Sequence, residues 1–146
     1  MAAKMRMMTP RAAGIVLGPG LLAVLLLVLA TSCQNPEIEK NRALAEEVMA
    51  VHDEAMAKMT QMHELRLQLE ERVGGGDPEP EIGAAIEALQ QAHHQMMVWM
   101  REYRSPQTDE ALQQAGDYLL NERDKIQVVS DAINASIDRA EHLLAR

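Results

Sequence analysis

Three long stretches of this chain carry an apolar residue every three or four positions, separated by Gly- and Pro-rich breaks. Spaced about 100° apart around a helix, Leu44, Val48, Val51, Ala55, Met59, Met62, Leu69 and Val73 fall on one broad face. Asn35-Pro36-Glu37 supplies an N-cap, a proline at the first helical position and a first-turn acid. Nothing interrupts the pattern before Gly74-Gly75-Gly76, which predicts one helix over 36–73, about 55 Å long. A second face of Ile82, Ala85, Ile86, Leu89, His93, Met96, Met97, Met100 and Tyr103 predicts a helix over 79–104, with Asp77 as its capping residue. After Ser105-Pro106-Gln107-Thr108, a third face runs from Leu112, Ala115 and Leu119 through Ile126, Val129, Ile133, Ile137 and Ala140 to Leu144. It predicts a helix over 108–145, softened by Gly116 at a cost near 1 kcal/mol relative to Ala. No segment alternates with period two, so no strand is expected.

Long amphipathic helices joined by short turns pack as antiparallel neighbours. The expectation for residues 37–146 is an all-α, up-down-up three-helix bundle, whose first and third helices outreach the second as a two-helix stalk. An extended coiled coil is the alternative. It is disfavoured because the apolar faces are wider than a two-position seam.

Residues 1–32 differ in kind. They hold Lys4, Arg6 and Arg11, no acid, and an apolar run from Ile15 to Ala30 interrupted at Gly18-Pro19-Gly20. A basic start, a short apolar core and small residues before a break mark a secretory signal. Leu21–Ala30 is too short to span a bilayer as a helix, which takes about 20 apolar residues. Leu29-Ala30-Thr31-Ser32-Cys33 resembles the lipobox of bacterial lipoproteins, with Ala30 where that motif usually has Leu. The resemblance implies cleavage before Cys33, diacylglycerol on its thiol and an acyl chain such as palmitate on its new amine. Residues 33–36 then form a lipidated tether. Gln34 is not the Asp linked with inner-membrane retention in enteric bacteria, so an outer-membrane anchor facing the periplasm is favoured. The alternative is an uncleaved N-terminal membrane helix.

Losing residues 1–32 removes three positive charges and no negative ones, moving the net charge from −8 to −11. Such an acidic surface argues against nucleic acid as a partner. Cys33 is the single cysteine, so the mature domain has no internal disulfide. Phe is absent and Met abundant, which leaves an aliphatic and thioether core.

Candidate chemistry sits on the first two helices. His52, Met56, Met59 and His63 are spaced four, three and four apart and stack along one line. His93, Met96 and Met100 lie centrally on the second face. Folding about Gly74–Glu79 pairs positions summing to about 152, placing Met59 near His93, Met56 near Met96 and His52 near Met100. A tight turn at Ser105 brings Gly116 and Leu119 to the same level. Imidazole and thioether together suit Cu(I), since soft sulfur selects it; a His/Met pair also ligates haem iron, though no CxxCH occurs. The plain alternative is that these side chains fill the core. Arg66, Glu70 and Glu122 read as an interhelical ion pair, and Trp99 falls at the edge of its face, covering the groove to the third helix.

Met49-x-Val51-His52-Asp53-Glu54-x-Met56-x-Lys58-Met59, with Met96-Met97-x-Trp99-Met100, resembles a group of small uncharacterised bacterial lipoproteins sometimes labelled viral A-type inclusion proteins. Ala57 stands where that group carries Pro. The resemblance implies a lipid-anchored, all-helical protein and brings no activity with it. No constellation matches a reaction geometry, so no enzyme is expected. Two functions are carried forward. One is a helical envelope module held to the bilayer through Cys33 and meeting an envelope protein partner, with no cofactor. The other is a periplasmic copper-binding lipoprotein using His52, Met56, Met59, His63, His93, Met96 and Met100.

Overall fold

The computed structural model describes residues 35–146, and Cys33 lies outside them. The described chain is all-helical. Its elements are α1 (Pro36–Ala57), α2 (Met59–Val73), α3 (Pro80–Glu102), α4 (Asp109–Gln114) and α5 (Gly116–Leu144). No strand occurs among the described residues, and none of their helices is long and apolar enough to cross a membrane.

Local chemistry sets most of the ends. The Asn35 side chain accepts a hydrogen bond from the Glu37 amide, with Pro36 opening α1. Gly74 closes α2 at φ 63°, a left-handed conformation that costs a side-chain-bearing residue more than glycine. Thr108 Oγ1 accepts from the Ala111 amide to start α4. The Asp77 cap does not form; α3 starts at Pro80 behind Glu79, which makes no side-chain cap bond.

Two expected helices are each split. The 36–73 helix breaks at Lys58, whose amide turns back to the Ala55 carbonyl, although no proline is present. There Lys58 Nζ bonds Asn134 Oδ1 of α5 at 2.8 Å and Glu54 Oε1 at 3.0 Å, so a tertiary tie coincides with the interruption. The 108–145 helix breaks at Ala115, immediately before Gly116.

The buried side chains follow a seven-residue repeat. On α1 and α2 they are Asn41, Leu44, Val48, Ala55, Met62, Leu65 and Leu69. On α3 they are Ile82, Ala85, Leu89, Ala92, Met96 and Trp99. From α4 into α5 the repeat continues through Leu112, Ala115, Leu119, Glu122, Ile126, Val129, Ile133, Ser136, Ala140 and Leu143, with Ser130 and Ile137 also buried beside it. Alternating steps of three and four residues are the spacing of a coiled-coil seam. On α1 to α3 the faces are therefore narrower than a 100° reading gives, with Leu65 buried and His93 exposed; on α5 Leu143 is buried and Leu144 only partly covered, while Ser130 and Ile137 widen the face.

Side-chain pairs fix the register. Asn41 bonds the Leu112 carbonyl, Lys58 meets Asn134, Gln61 meets Glu141 and Arg72 bonds the Leu143 carbonyl, so numbers rise together along α1–α2 and α4–α5. Against α3 they run oppositely: His52 lies beside Trp99, and Arg146 reaches Glu81. Gly116 sits beside Asn41, not at the His/Met level that a tight turn at Ser105 gives. The reason is the connection: residues 103–108 form no helical turn and carry the chain past the end of α3 before α4 begins. Beyond that end, Leu44, Ala115 and Leu119 form a small separate core against Tyr103 and Tyr118.

Candidate functional site

The groove between α2 and α3 receives part of the His/Met pattern. Met59, Met62, His63 and Arg66 from α2, with Leu89, Gln90 and His93 from α3, line one open cavity of about 350 Å³. Met59 and His93 share it, in the register where positions sum to about 152. Met62 and Leu89 are seam residues and form its buried floor, whereas His63 and His93 stand exposed at its rim. Four-residue spacing puts Met59 and His63 one turn apart on the same side of α2.

The other candidates do not line this cavity. Met96 is fully buried in the seam, and Met56 and Met100 pack half-buried against the main core. His52 lies over Trp99, ring centres 5.5 Å apart, with Nδ1 2.9 Å from Asp53 Oδ1. Among the described residues, no three His, Cys, Asp or Glu side chains group closely enough to hold a metal ion. No protein-family model, curated protein or solved structure matches this chain.

Arg66, Glu70 and Glu122 do not form the expected interhelical ion pair. Arg66 meets Glu70 one turn along α2, and Lys125 Nζ lies 2.8 Å from the buried Glu122 carboxylate on α5. Neither pair links two helices, because each acid has a base within one turn on its own surface. Arg66 also approaches His63 Nδ1 at 3.3 Å. A guanidinium only donates, so this nitrogen accepts and the ring proton sits on Nε2.

All three aromatic residues of the chain lie in one ladder that sequence reasoning missed. Trp99 stacks on Tyr103 at 4.7 Å, and Tyr103 on Tyr118 at 6.3 Å. Trp99 is buried in the seam, not at the edge of its face; the seven-residue steps Ala85, Ala92, Trp99 are the signal that placed it. The Tyr118 hydroxyl accepts from the Arg104 amide at 2.7 Å, whereas the buried Tyr103 hydroxyl finds no partner among the described residues. Burial pushes the Tyr103 phenol above its ordinary value. Its contribution to stability is therefore present below about pH 10 and lost as pH rises through the folded-state value. Tyr103→Phe keeps the ring and removes the orphan hydroxyl. Thermal melts at pH 7 are expected to agree with the parent to within about 0.5 kcal/mol, with a shallower loss of stability above pH 10. A large loss at neutral pH argues instead that the hydroxyl is bonded.

Proposed function

We propose that this protein is a lipid-anchored, non-enzymatic helical module of the bacterial cell envelope, held to the bilayer by acylated Cys33 and facing the periplasm. Its bundle is up-down-up, with α1–α2 and α4–α5 as two parallel rods and α3 antiparallel between them; the rising and falling register pairs above support this arrangement. The observation that carries the function is Leu29-Ala30-Thr31-Ser32-Cys33, followed three residues later by the capped start of α1. A cysteine so placed leaves a tether of two residues, Gln34 and Asn35, before the rods begin. Two or three acyl chains, at about 0.8 kcal/mol per buried CH₂, make such an anchor effectively permanent. The acidic domain adds no electrostatic hold on anionic lipid, so attachment rests on the acyl chains alone. The outer membrane is the favoured bilayer, given Gln34 after the cysteine. The partner is an envelope protein that meets the helical surface, with no nucleic acid.

Cys33→Ala in a bacterial host tests the anchor by membrane fractionation. The parent chain is expected in the membrane pellet and extracted only by detergent. The variant is expected to lose acylation and to remain as the longer, uncleaved precursor. Identical processing of both chains contradicts the proposal.

A further inference from the structure

The geometry points to the α2/α3 cavity as a binding site for one soft monovalent metal ion, Cu(I), held by the thioethers of Met59 and Met62 and the imidazoles of His63 and His93. All four side chains line the same cavity, and no carboxylate does. A neutral sulfur and nitrogen set suits a soft monovalent cation and offers a hard divalent ion little. The four donors are staggered in depth. Met62 is buried at the floor, Met59 is half-buried, and both imidazoles stand at the exposed rim, so an ion enters between the rings and meets sulfur below. The cavity is wider than a bare ion, and the unbranched Met59 side chain is flexible enough to close on one. The sevenfold donor set expected from sequence thus narrows: Met59, His63 and His93 remain, Met62 joins them, and His52, Met56, Met96 and Met100 lie outside.

Arg66 gives the site a competitor. Its guanidinium donates to His63 Nδ1 at 3.3 Å. Ligation through Nδ1 displaces that contact, and ligation through Nε2 moves the ring proton to Nδ1, which then cannot accept. Metal binding and the Arg66–His63 contact are therefore mutually exclusive, while Arg66 keeps its partner Glu70. Removing the guanidinium should tighten binding, which packing alone gives no reason to expect.

The test uses the full chain in detergent micelles with Cys33→Ser, so that no thiol competes for Cu(I). Anaerobic Cu(I) is titrated against a chromogenic Cu(I) chelator. One ion per chain is expected. Met59→Leu with His93→Gln should weaken binding about tenfold or more, Met100→Leu should leave it unchanged, and Arg66→Gln should tighten it about threefold. Equimolar Zn(II) should not displace the Cu(I). If the double variant loses its helical circular dichroism, the methyl resonances of Met59 and Met62 in the otherwise unsubstituted chain decide: both must shift on adding Ag(I), and Met100 must not. No binding, affinity unchanged in a folded double variant, displacement by Zn(II), or unshifted Met59 and Met62 methyls overturns the site. The site needs no acyl chain, so its failure leaves the anchor at Cys33 standing.

Discussion

Asn41→Asp is expected to cost about 3–5 kcal/mol of stability at pH 7, a large part of what a domain of this size holds. Asn41 is fully buried, and its Nδ2 donates to the Leu112 carbonyl at 2.7 Å, where α4 ends against α5. Aspartate loses that donor and sets a carboxylate oxygen against a carbonyl oxygen with no cation beside it. Either the charge is buried unpaired, or the carboxyl stays protonated with its folded-state value raised above the unfolded one. The sign follows: stability is fully present below the unfolded value near 4 and lost as pH rises through the folded value. Melts should therefore show the variant closest to the parent near pH 4 and far below it at pH 7. Asn41→Ala, which leaves a small cavity and one lost hydrogen bond, should cost about 1–3 kcal/mol at either pH. An aspartate variant no weaker than the alanine variant at pH 7 contradicts this role for Asn41.

Leu69→Ala should cost about 2–5 kcal/mol in chemical denaturation, with helix content kept in water. Leu69 is 0% exposed at a seam position of α2, within the main core. Leu67, two residues away on the same helix, is 47% exposed. Its replacement by Ala should move stability by no more than about 0.5 kcal/mol. Equal effects at 67 and 69 mean that the seam of α2 has been assigned wrongly.

That distinction of helical phase marks where the sequence stops being legible. Caps and breakers place the elements well: Asn35-Pro36, Gly74 and Thr108 lie at ends where the structure uses them. Phase is harder. A helix read at 100° per residue drifts about 20° per heptad against a strict seven-residue repeat. Over residues 36–73 that drift accumulates to about one residue's angular spacing, which trades Leu65 for Met59 and Val73. On the second helix it trades Ala92 and Trp99 for His93 and Met100. Seam positions taken by Asn41, Lys58 and Glu122 hide the repeat further, because a hydrophobicity count discards polar residues. Their satisfaction depends on partners such as the Leu112 carbonyl and Asn134, which lie 71 and 76 residues away in sequence.

The candidate site was legible in register and not in depth. Folding at Gly74–Gly76 sufficed to bring Met59 and His93 to one cavity. It could not say that His63 and His93 stand at the rim while Met96 is sealed in the core. Polar seam residues of this kind also restrict register. Asn41 facing the α4–α5 break leaves space for Gly116, where a Cβ would come within 3.3 Å of its Oδ1. The bundle thus holds its rods in one alignment while presenting an acidic outer surface to whatever it meets.

The most direct examination is intact-mass and peptide mass spectrometry of the full chain expressed in a bacterial host and purified from its membrane fraction. The expected mature chain begins at residue 33 and carries diacylglycerol on sulfur with a further fatty acid on the new amine. A chain that still starts at Met1 with an unmodified thiol removes the physical reason for a strongly acidic helical rod to remain at a bilayer.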